Sequence, residues 1–189
     1  MFRVYQSTAI HDAKKYYTEA LAKADYYIDG HEVAGLWHGK ATQLLGVSGP
    51  VTQETFARLC ENTHPISGEK LTPRTRDDRT VGYDLNFHAS KGISVLHALT
   101  QDERIVTAMR EAVASTMAEI EQNAHTRVRL DGQSEDRHTG NLIWGEFVHF
   151  TGRPVDGVPD PQLHIHCFVQ NATWDATEMR WKAGQFRPI

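Results

Sequence analysis

Two histidines alternate with apolar residues in one short segment near the end of the chain. Residues 163–169 read Leu-His-Ile-His-Cys-Phe-Val, with Leu, Ile, Cys and Val at every second position. This alternation predicts a half-buried β-strand, because successive side chains of a strand point to opposite faces. His164 and His166 then project together from the face opposite the apolar one, roughly 6–7 Å apart along the strand. The segment therefore predicts a sheet with one buried face and one face that presents imidazoles.

That spacing allows two imidazoles to bind one divalent metal ion. A third ligand is available in His149, which lies at the end of the preceding strand-like segment, 142–150. Three neutral imidazoles leave coordination positions open, which is typical of a catalytic metal site and not of a closed structural one. A His-x-His pair alone also suits sheet histidines that bind no metal, so the pair by itself leaves both interpretations open.

Composition limits the class of protein. The 189 residues suffice for one domain, and 40% hydrophobic with 23% charged residues is ordinary for a globular chain. The net charge of −4 argues against a general nucleic-acid coat protein but allows an enzyme with a local basic groove. The two cysteines make no disulfide framework, and we expect neither a membrane segment nor a signal peptide. A cytoplasmic location is the resulting expectation.

Apolar periodicity predicts helices and strands in a mixed order. Predicted helices cover 11–28, 41–45, 52–60 with Thr52 as its cap, a short stretch after Ser90, and 102–124. Predicted strands cover 81–88, 126–130, 142–150 and 163–171, and 61–79 is predicted to be a long polar loop. Adjacent late strands joined by a loop favour an α+β fold, with a central antiparallel sheet and helices packed against one face.

The strand predicted at 81–88 presents a carboxylate. Its apolar residues alternate with a polar set that includes Asp84, Asn86 and His88. Asp84 suits a group that fixes the tautomer of a metal-binding histidine. An ordinary carboxylate of a strand is the alternative.

Four of the six tyrosines form two doublets, Tyr16-Tyr17 and Tyr26-Tyr27, on or near one N-terminal helix. A tyrosine phenol can attack phosphorus and form a covalent phosphotyrosine link. Aromatic residues at helical spacing are more often core or interface residues. The pattern leaves both roles open for each tyrosine.

Placed in order, these pieces resemble the conjugative relaxases of the MobF class (TrwC/TraI type). These are His-hydrophobic-His (HUH) endonucleases that nick plasmid DNA at an origin of transfer. The resemblance rests on Asp-Leu-Asn-Phe-His-Ala-Ser-Lys at 84–91, Gly-Asn-Leu at 140–142, His149, Arg153, and Asp-Pro-Gln-Leu-His-Ile-His at 160–166. It runs nearly end to end, and the last string is specific.

The resemblance implies a relaxase catalytic domain over residues 1–189, built on a central antiparallel sheet and without the C-terminal lid of the family. It implies metal-dependent, strand- and site-specific nicking and rejoining of single-stranded DNA through a 5′-phosphotyrosine intermediate. The implied cofactor is a divalent metal ion, Mg²⁺ or Mn²⁺, with Zn²⁺ as the alternative. The implied partners are single-stranded plasmid DNA at an origin of transfer, a relaxosome accessory protein and a coupling protein.

The resemblance also implies roles for individual residues. Tyr16 would be the primary nucleophile, Tyr26 the nucleophile of the second step, and Asp84 an orienting group or proton acceptor. Three histidines would hold the metal ion: His149, His164 and His166. Two basic residues would contact DNA: Lys91 and Arg153.

Two other functions are compatible with these residues. One is a metal-dependent phosphodiesterase that uses activated water and no covalent tyrosine. The other is a DNA-binding remnant without catalysis.

Overall fold

The structure is a computed structural model that describes residues 2–8, 10, 13–14, 35–73, 79–130, 132–152, 154 and 156–185. The strands and helices within these ranges are, in chain order, β1 (Phe2–Ser7), β2 (Leu36–His38), α1 (Ala41–Leu45), α2 (Gln53–Cys60), β3 (Gly82–His88), α3 (Lys91–Thr100), α4 (Glu103–Gln122), β4 (His125–Leu130), β5 (Gln133–His138), β6 (Trp144–Thr151), β7 (Pro161–Gln170), β8 (Thr173–Asp175), β9 (Arg180–Lys182) and β10 (Gly184–Gln185).

Five strands form the central sheet in the order β1-β3-β7-β6-β2, and every neighbouring pair is antiparallel. The middle strand, β7, carries the alternating histidine segment. The predicted antiparallel pairing of 142–150 with 163–169 is confirmed, with Val148 opposite Ile165 and His149 opposite His164. Two smaller sheets, β10-β4-β5 and β8-β9, lie outside this one.

One face of the central sheet, which we call the helix face, is covered by α3 and α4. Leu85, Ile165 and Cys167 project from it and pack in one buried cluster with Val113 and Met117 of α4. Both helices begin at capping side chains, as expected at Ser90: its hydroxyl accepts from the Ile93 N–H (3.4 Å), and Asp102 accepts from the Arg104 N–H (3.0 Å). Each such cap typically contributes about 1 kcal/mol to helix stability.

The opposite face, which we call the histidine face, also carries apolar residues. Phe147 and Phe168 project from it and contact Phe56 of α2, with ring centroids 6.2 and 5.2 Å apart. Ile10 and Ala13, which lie in helical backbone, join the same cluster. The predicted packing of helices against the sheet is confirmed, and the helices lie on both faces because these phenylalanines also need apolar cover.

Helices 41–45 and 52–60 and the strand at 81–88 lie where the sequence predicted them. Strand β5 was missed, because its residues, Gln-Ser-Glu-Asp-Arg-His, are polar throughout and show no alternation. Its extended form comes from pairing with β4 along its whole length. The predicted helix 11–28 lies mostly outside the described residues. No helix within the described ranges is long and apolar enough to cross a bilayer.

Candidate metal centre

Three histidine rings lie together on the histidine face. The ring centroids of His149 and His164 are 5.2 Å apart, those of His149 and His166 are 5.3 Å apart, and those of His164 and His166 are 5.0 Å apart. Strand register produces this triangle. His149 on β6 is directly opposite His164 on β7, and His166 follows two residues later on the same face.

The triangle has the size that one shared metal ion requires. Three imidazoles bound tetrahedrally through nitrogens at about 2.0–2.1 Å place their ring centroids roughly 5 Å apart. As the side chains stand, however, no group of three or more His, Cys, Asp or Glu residues in the described part of the chain is arranged to hold a metal ion. The spacing of the three rings fits a shared ion, although their nitrogens do not converge closely enough to hold one as the rings are placed.

Asp84 fixes the tautomer of His166. The Nδ1–H of His166 donates to both carboxylate oxygens of Asp84, at 3.0 and 2.9 Å, and each side chain is only 14% exposed. With the hydrogen on Nδ1, Nε2 of His166 carries the lone pair that a metal ion would use. A carboxylate behind a ligating histidine also makes that histidine a stronger base towards the metal.

His164 is held in the same tautomer by a backbone carbonyl. Its Nδ1–H donates to the Gln162 carbonyl oxygen at 2.8 Å, which leaves the Nε2 lone pair available. Burial lowers the pKa of His164 to about 4, so the ring is neutral near pH 7. A neutral imidazole is the form that binds metal ions.

Asn86 adds a polar atom that lacks a partner. Its amide nitrogen lies 3.3 Å from Nε2 of His166, where it donates to the lone pair that a metal ion would use. Its Oδ1 atom is buried and has no hydrogen-bond partner among the described residues. Buried polar atoms are normally satisfied, so this orphan favours a bound water or ligand beside Asn86. The alternation at 81–88 was the sequence signal for Asn86.

A fourth histidine, His88, lies beside the triangle. Its ring stacks on that of His164, with centroids 5.5 Å apart and planes 12° apart, because the two residues are opposite each other in the β3–β7 register. Burial lowers the pKa of His88, and the neighbouring His166 and Arg3 act in the same direction. Sequence reasoning placed His88 only on the polar side of its strand.

Of the remaining predicted site residues, the structure describes only Lys91. Tyr16, Tyr26 and Arg153 lie outside the described residues, so their predicted roles stay predictions. Lys91 is the first residue of α3; its ammonium forms an ion pair with Asp160 and donates to the Pro161 carbonyl at 3.0 Å. This contact ties the start of α3 to the start of the histidine strand.

A groove of about 600 Å³ lies beside the β4–β10 pair. Its lining includes four basic residues and one acidic residue: Arg127, Arg129, Arg180, Lys182 and Glu178. Arg127 and Arg129 are exposed on β4, whereas Arg180 and Lys182 form ion pairs with Glu178. The groove is thus a local basic surface on an acidic chain.

In a comparison with protein families, the TrwC relaxase family matches residues 10–189, which is most of the chain. The chain is 36% identical over 183 residues to the multifunctional conjugation protein TraI of Escherichia coli (strain K12), covering 96% of this chain and 10% of that protein. It is 39% identical over 171 residues to a TraI protein of Escherichia coli, covering 90% and 9%. The chain therefore spans about a tenth of the length of these relatives.

Solved structures of TrwC also match this chain. The conjugative relaxase TrwC in complex with oriT DNA, in a metal-bound structure, has a TM-score of 0.81 and 32% identity, covering 98% of this chain and 61% of that one. The copper-bound complex of TrwC with oriT DNA has a TM-score of 0.81 and 33% identity, covering 98% and 62%. At this level of identity and coverage, the neighbours and the present chain share a fold.

Proposed function

Because this chain belongs to the TrwC relaxase family, we propose that it nicks and rejoins single-stranded DNA at a specific site during conjugative transfer. The observation that carries the proposal is the triangle of His149, His164 and His166 on the histidine face. The two similar TrwC structures are complexes with oriT DNA; one is described as metal-bound and the other as copper-bound. The proposed substrate is therefore single-stranded plasmid DNA at an origin of transfer.

The proposed cofactor is a divalent metal ion held by the three histidines through Nε2 of His164, Nε2 of His166 and a ring nitrogen of His149. When bound, such an ion neutralises charge that develops on the scissile phosphate. Mg²⁺ or Mn²⁺ is the proposed physiological ion, and Zn²⁺ is the alternative. Imidazole donors suit Zn²⁺ better than Mn²⁺ or Mg²⁺, so Zn²⁺ should bind most tightly of the three.

The proposed chemistry is a transesterification by Tyr16. Its phenol loses a proton and the phenolate oxygen forms a bond to phosphorus, while the bond from phosphorus to the 3′ oxygen breaks and that oxygen leaves as a hydroxyl. A phenol pKa of about 10 means that the proton must be taken up locally. The contact of Asp84 with His166 supports an orienting role for Asp84 over that of proton acceptor.

The covalent 5′-phosphotyrosine conserves the energy of the phosphodiester, so a 3′-hydroxyl can reverse the step without ATP. Tyr26 is proposed as the nucleophile of a second strand transfer. Lys91 and Arg153 are proposed to contact DNA phosphates, and the groove beside β4 offers further basic side chains for the same polyanion. A cytoplasmic location, a relaxosome accessory protein and a coupling protein belong to the same proposal.

The test uses a pool of single-stranded DNA with a randomised segment and a 3′-end label. After incubation with Mn²⁺ or Mg²⁺, a relaxase transfers the labelled 3′ fragment to itself, and the label migrates with the protein on a denaturing gel. Sequencing of the linked DNA then gives the cleavage site. Tyr16→Phe should abolish the linked product, whereas the matched control Tyr17→Phe should retain it.

Other outcomes are informative. Metal-dependent cleavage that persists in Tyr16→Phe without a linked product would indicate a phosphodiesterase that uses water. DNA binding with no cleavage under any metal would indicate a non-catalytic remnant. An adduct on Tyr17 or Tyr26 in the first step would refute the assignment of Tyr16 and leave the relaxase proposal intact.

A further inference from the structure

One glutamine, Gln162, contacts two histidines of the cluster through chemically different atoms. Its backbone carbonyl accepts from the Nδ1–H of His164 at 2.8 Å. Its side-chain amide nitrogen lies 3.1 Å from Nδ1 of His88. A carbonyl oxygen only accepts hydrogen bonds, and an amide nitrogen only donates them. Gln162 therefore holds a hydrogen on Nδ1 of His164 and excludes one from Nδ1 of His88.

The two stacked rings consequently present opposite groups at Nε2. In the neutral ring, one nitrogen carries the hydrogen and the other carries the lone pair. His164 presents a lone pair, as a metal ligand must. His88 presents an N–H group, which donates a hydrogen bond and cannot ligate a metal.

The position of His88 also separates it from the shared ion. His88 and His149 flank His164 on opposite sides, because β3 and β6 are the two neighbours of β7. Strands in a sheet are about 4.8 Å apart, so His88 and His149 are separated by about 10 Å across the sheet. That separation is about twice the spacing of rings that share one ion. His88 therefore lies beside the proposed metal centre and outside its ligand set.

A basic side chain shares the face next to His88. Arg3 on the edge strand β1 is opposite Asn86 of β3, so its side chain projects from the histidine face. Arg3 is exposed to solvent. An N–H donor beside a guanidinium suits an anion, and the sugar-phosphate backbone receives half or more of all protein–DNA hydrogen bonds.

We propose that His88 is a phosphate-binding residue: its Nε2–H donates to the phosphate that adjoins the one at the three-histidine cluster, and Gln162 sets the tautomer that makes it a donor. This inference rests on the proposed function, since it assumes that the bound anion is a nucleic-acid strand. Arg3 supplies positive charge to the same phosphate.

The tautomers are measured directly in the ¹⁵N-labelled, metal-free protein by NMR, because two-bond ¹H–¹⁵N couplings in the imidazole ring distinguish Nδ1–H from Nε2–H. The expected result is Nε2–H for His88 and Nδ1–H for His164 and His166. A hydrogen on Nδ1 of His88 at neutral pH would overturn the proposal.

Two variants then distinguish a role of His88 in binding DNA from a role in packing. His88→Gln keeps an N–H donor close to the position of Nε2, and His88→Phe keeps a flat ring without a donor. The probe is a fluorescently labelled oligothymidylate of ten nucleotides. Its anisotropy is measured while Mn²⁺-loaded protein is added. His88→Phe should weaken binding by about tenfold or more, the usual effect of one hydrogen bond to a charged group, and His88→Gln should stay within about threefold of the parent chain.

The affinity for Mn²⁺, measured by calorimetry, should stay within about twofold in both variants. A parallel loss of Mn²⁺ and oligonucleotide affinity in His88→Phe would make His88 a metal ligand and overturn the proposal. Equal oligonucleotide binding by all three proteins would overturn it as well. Since this binding needs no cleavage, a chain that binds in the expected way but never nicks DNA would refute the proposed function alone.

Discussion

The central sheet carries a histidine near a carboxylate on each of its faces. On the histidine face, Asp84 accepts from the Nδ1–H of His166 at 2.9–3.0 Å. On the helix face, Glu146 lies 3.7 Å from Nε2 of His38, but its other oxygen is 2.7 Å from the guanidinium of Arg110. Glu146 is 5% exposed, so both carboxylates are removed from most of the solvent.

The difference lies in which cation faces the carboxylate. Arg110 is permanently charged and forms an ion pair with Glu146 beneath α4. Burial lowers the pKa of His38, so Arg110 and not His38 is the cation that faces this carboxylate. Asp84 accepts from a histidine ring whose second nitrogen, Nε2, carries the lone pair that a metal ion would use. The same two residue types thus stabilise packing on one face and prepare a ligand on the other.

The largest effect is expected at the centre of the histidine face. His164→Ala removes a proposed ligand and should weaken Mn²⁺ or Zn²⁺ binding by more than about 100-fold, beyond the effect of losing an outer partner. Isothermal titration calorimetry measures it. His38→Ala is the matched control on the helix face and should leave metal affinity unchanged. Similar losses of metal affinity in both variants would contradict the proposed difference between the two faces of the sheet.

Asp84→Asn should weaken metal binding by about 10–100-fold, because the carboxylate that orients His166 loses its charge. The matched variant Glu146→Gln should have no effect on metal affinity, since its carboxylate faces Arg110 on the other side of the sheet. The same calorimetric titration serves both. Unchanged binding in Asp84→Asn would show that its contact with His166 is only structural.

Arg110→Met should lower the free energy of unfolding without changing metal affinity. Removal of one partner of a buried pair costs about 3–5 kcal/mol, and the partial exposure of Arg110 reduces the expected loss to about 2 kcal/mol. Urea denaturation measures it. The double variant Arg110→Met, Glu146→Leu should recover most of the loss, because no uncompensated charge remains. No recovery would mean that the guanidinium contributes mainly through packing.

Stability of the metal-free protein should depend on pH through His164. Its folded-state pKa of about 4 lies below the ordinary 6.5, so the unfolded chain binds the proton first as the pH falls. The contribution of His164 to the free energy of unfolding is fully present above about pH 6.5. It is lost progressively towards pH 4, which lowers the free energy of unfolding by about 2 kcal/mol once solvent screening is allowed for. Denaturation series at several pH values test this. A His164→Asn variant with an unchanged slope would contradict it.

The smallest effect is expected at an exposed pair. Lys91 and Asp160 are 57% and 46% exposed, so Lys91→Ala should change the free energy of unfolding by less than about 1 kcal/mol. If Lys91 contacts DNA as proposed, Lys91→Ala should reduce the free energy of oligonucleotide binding by more than it reduces the free energy of unfolding. Thermal denaturation and anisotropy in parallel compare the two. A large loss of stability would mean that the link from α3 to the histidine strand holds the fold together.

Much of the histidine face follows from local sequence. The alternation at 163–169 places His164 and His166 on one side of a strand, and that at 81–88 places Asp84 on the polar side of another, because strand geometry repeats every two residues. Ser90 and Thr52 mark helix starts for an equally local reason, since each caps an N–H a few residues ahead. Such features depend on neighbours in the chain.

Other features depend on partners far along the chain. Only the register of three strands places His149 and His88 on either side of His164, and only the docking of α4 brings Arg110 to Glu146. Gln162 holds two tautomers because its strand lies beside β3, 74 residues earlier. Local alternation is enough to specify which side chains share a face of each strand. Which charges and lone pairs meet follows from strand pairing and helix packing, because these bring together residues that are far apart in the chain.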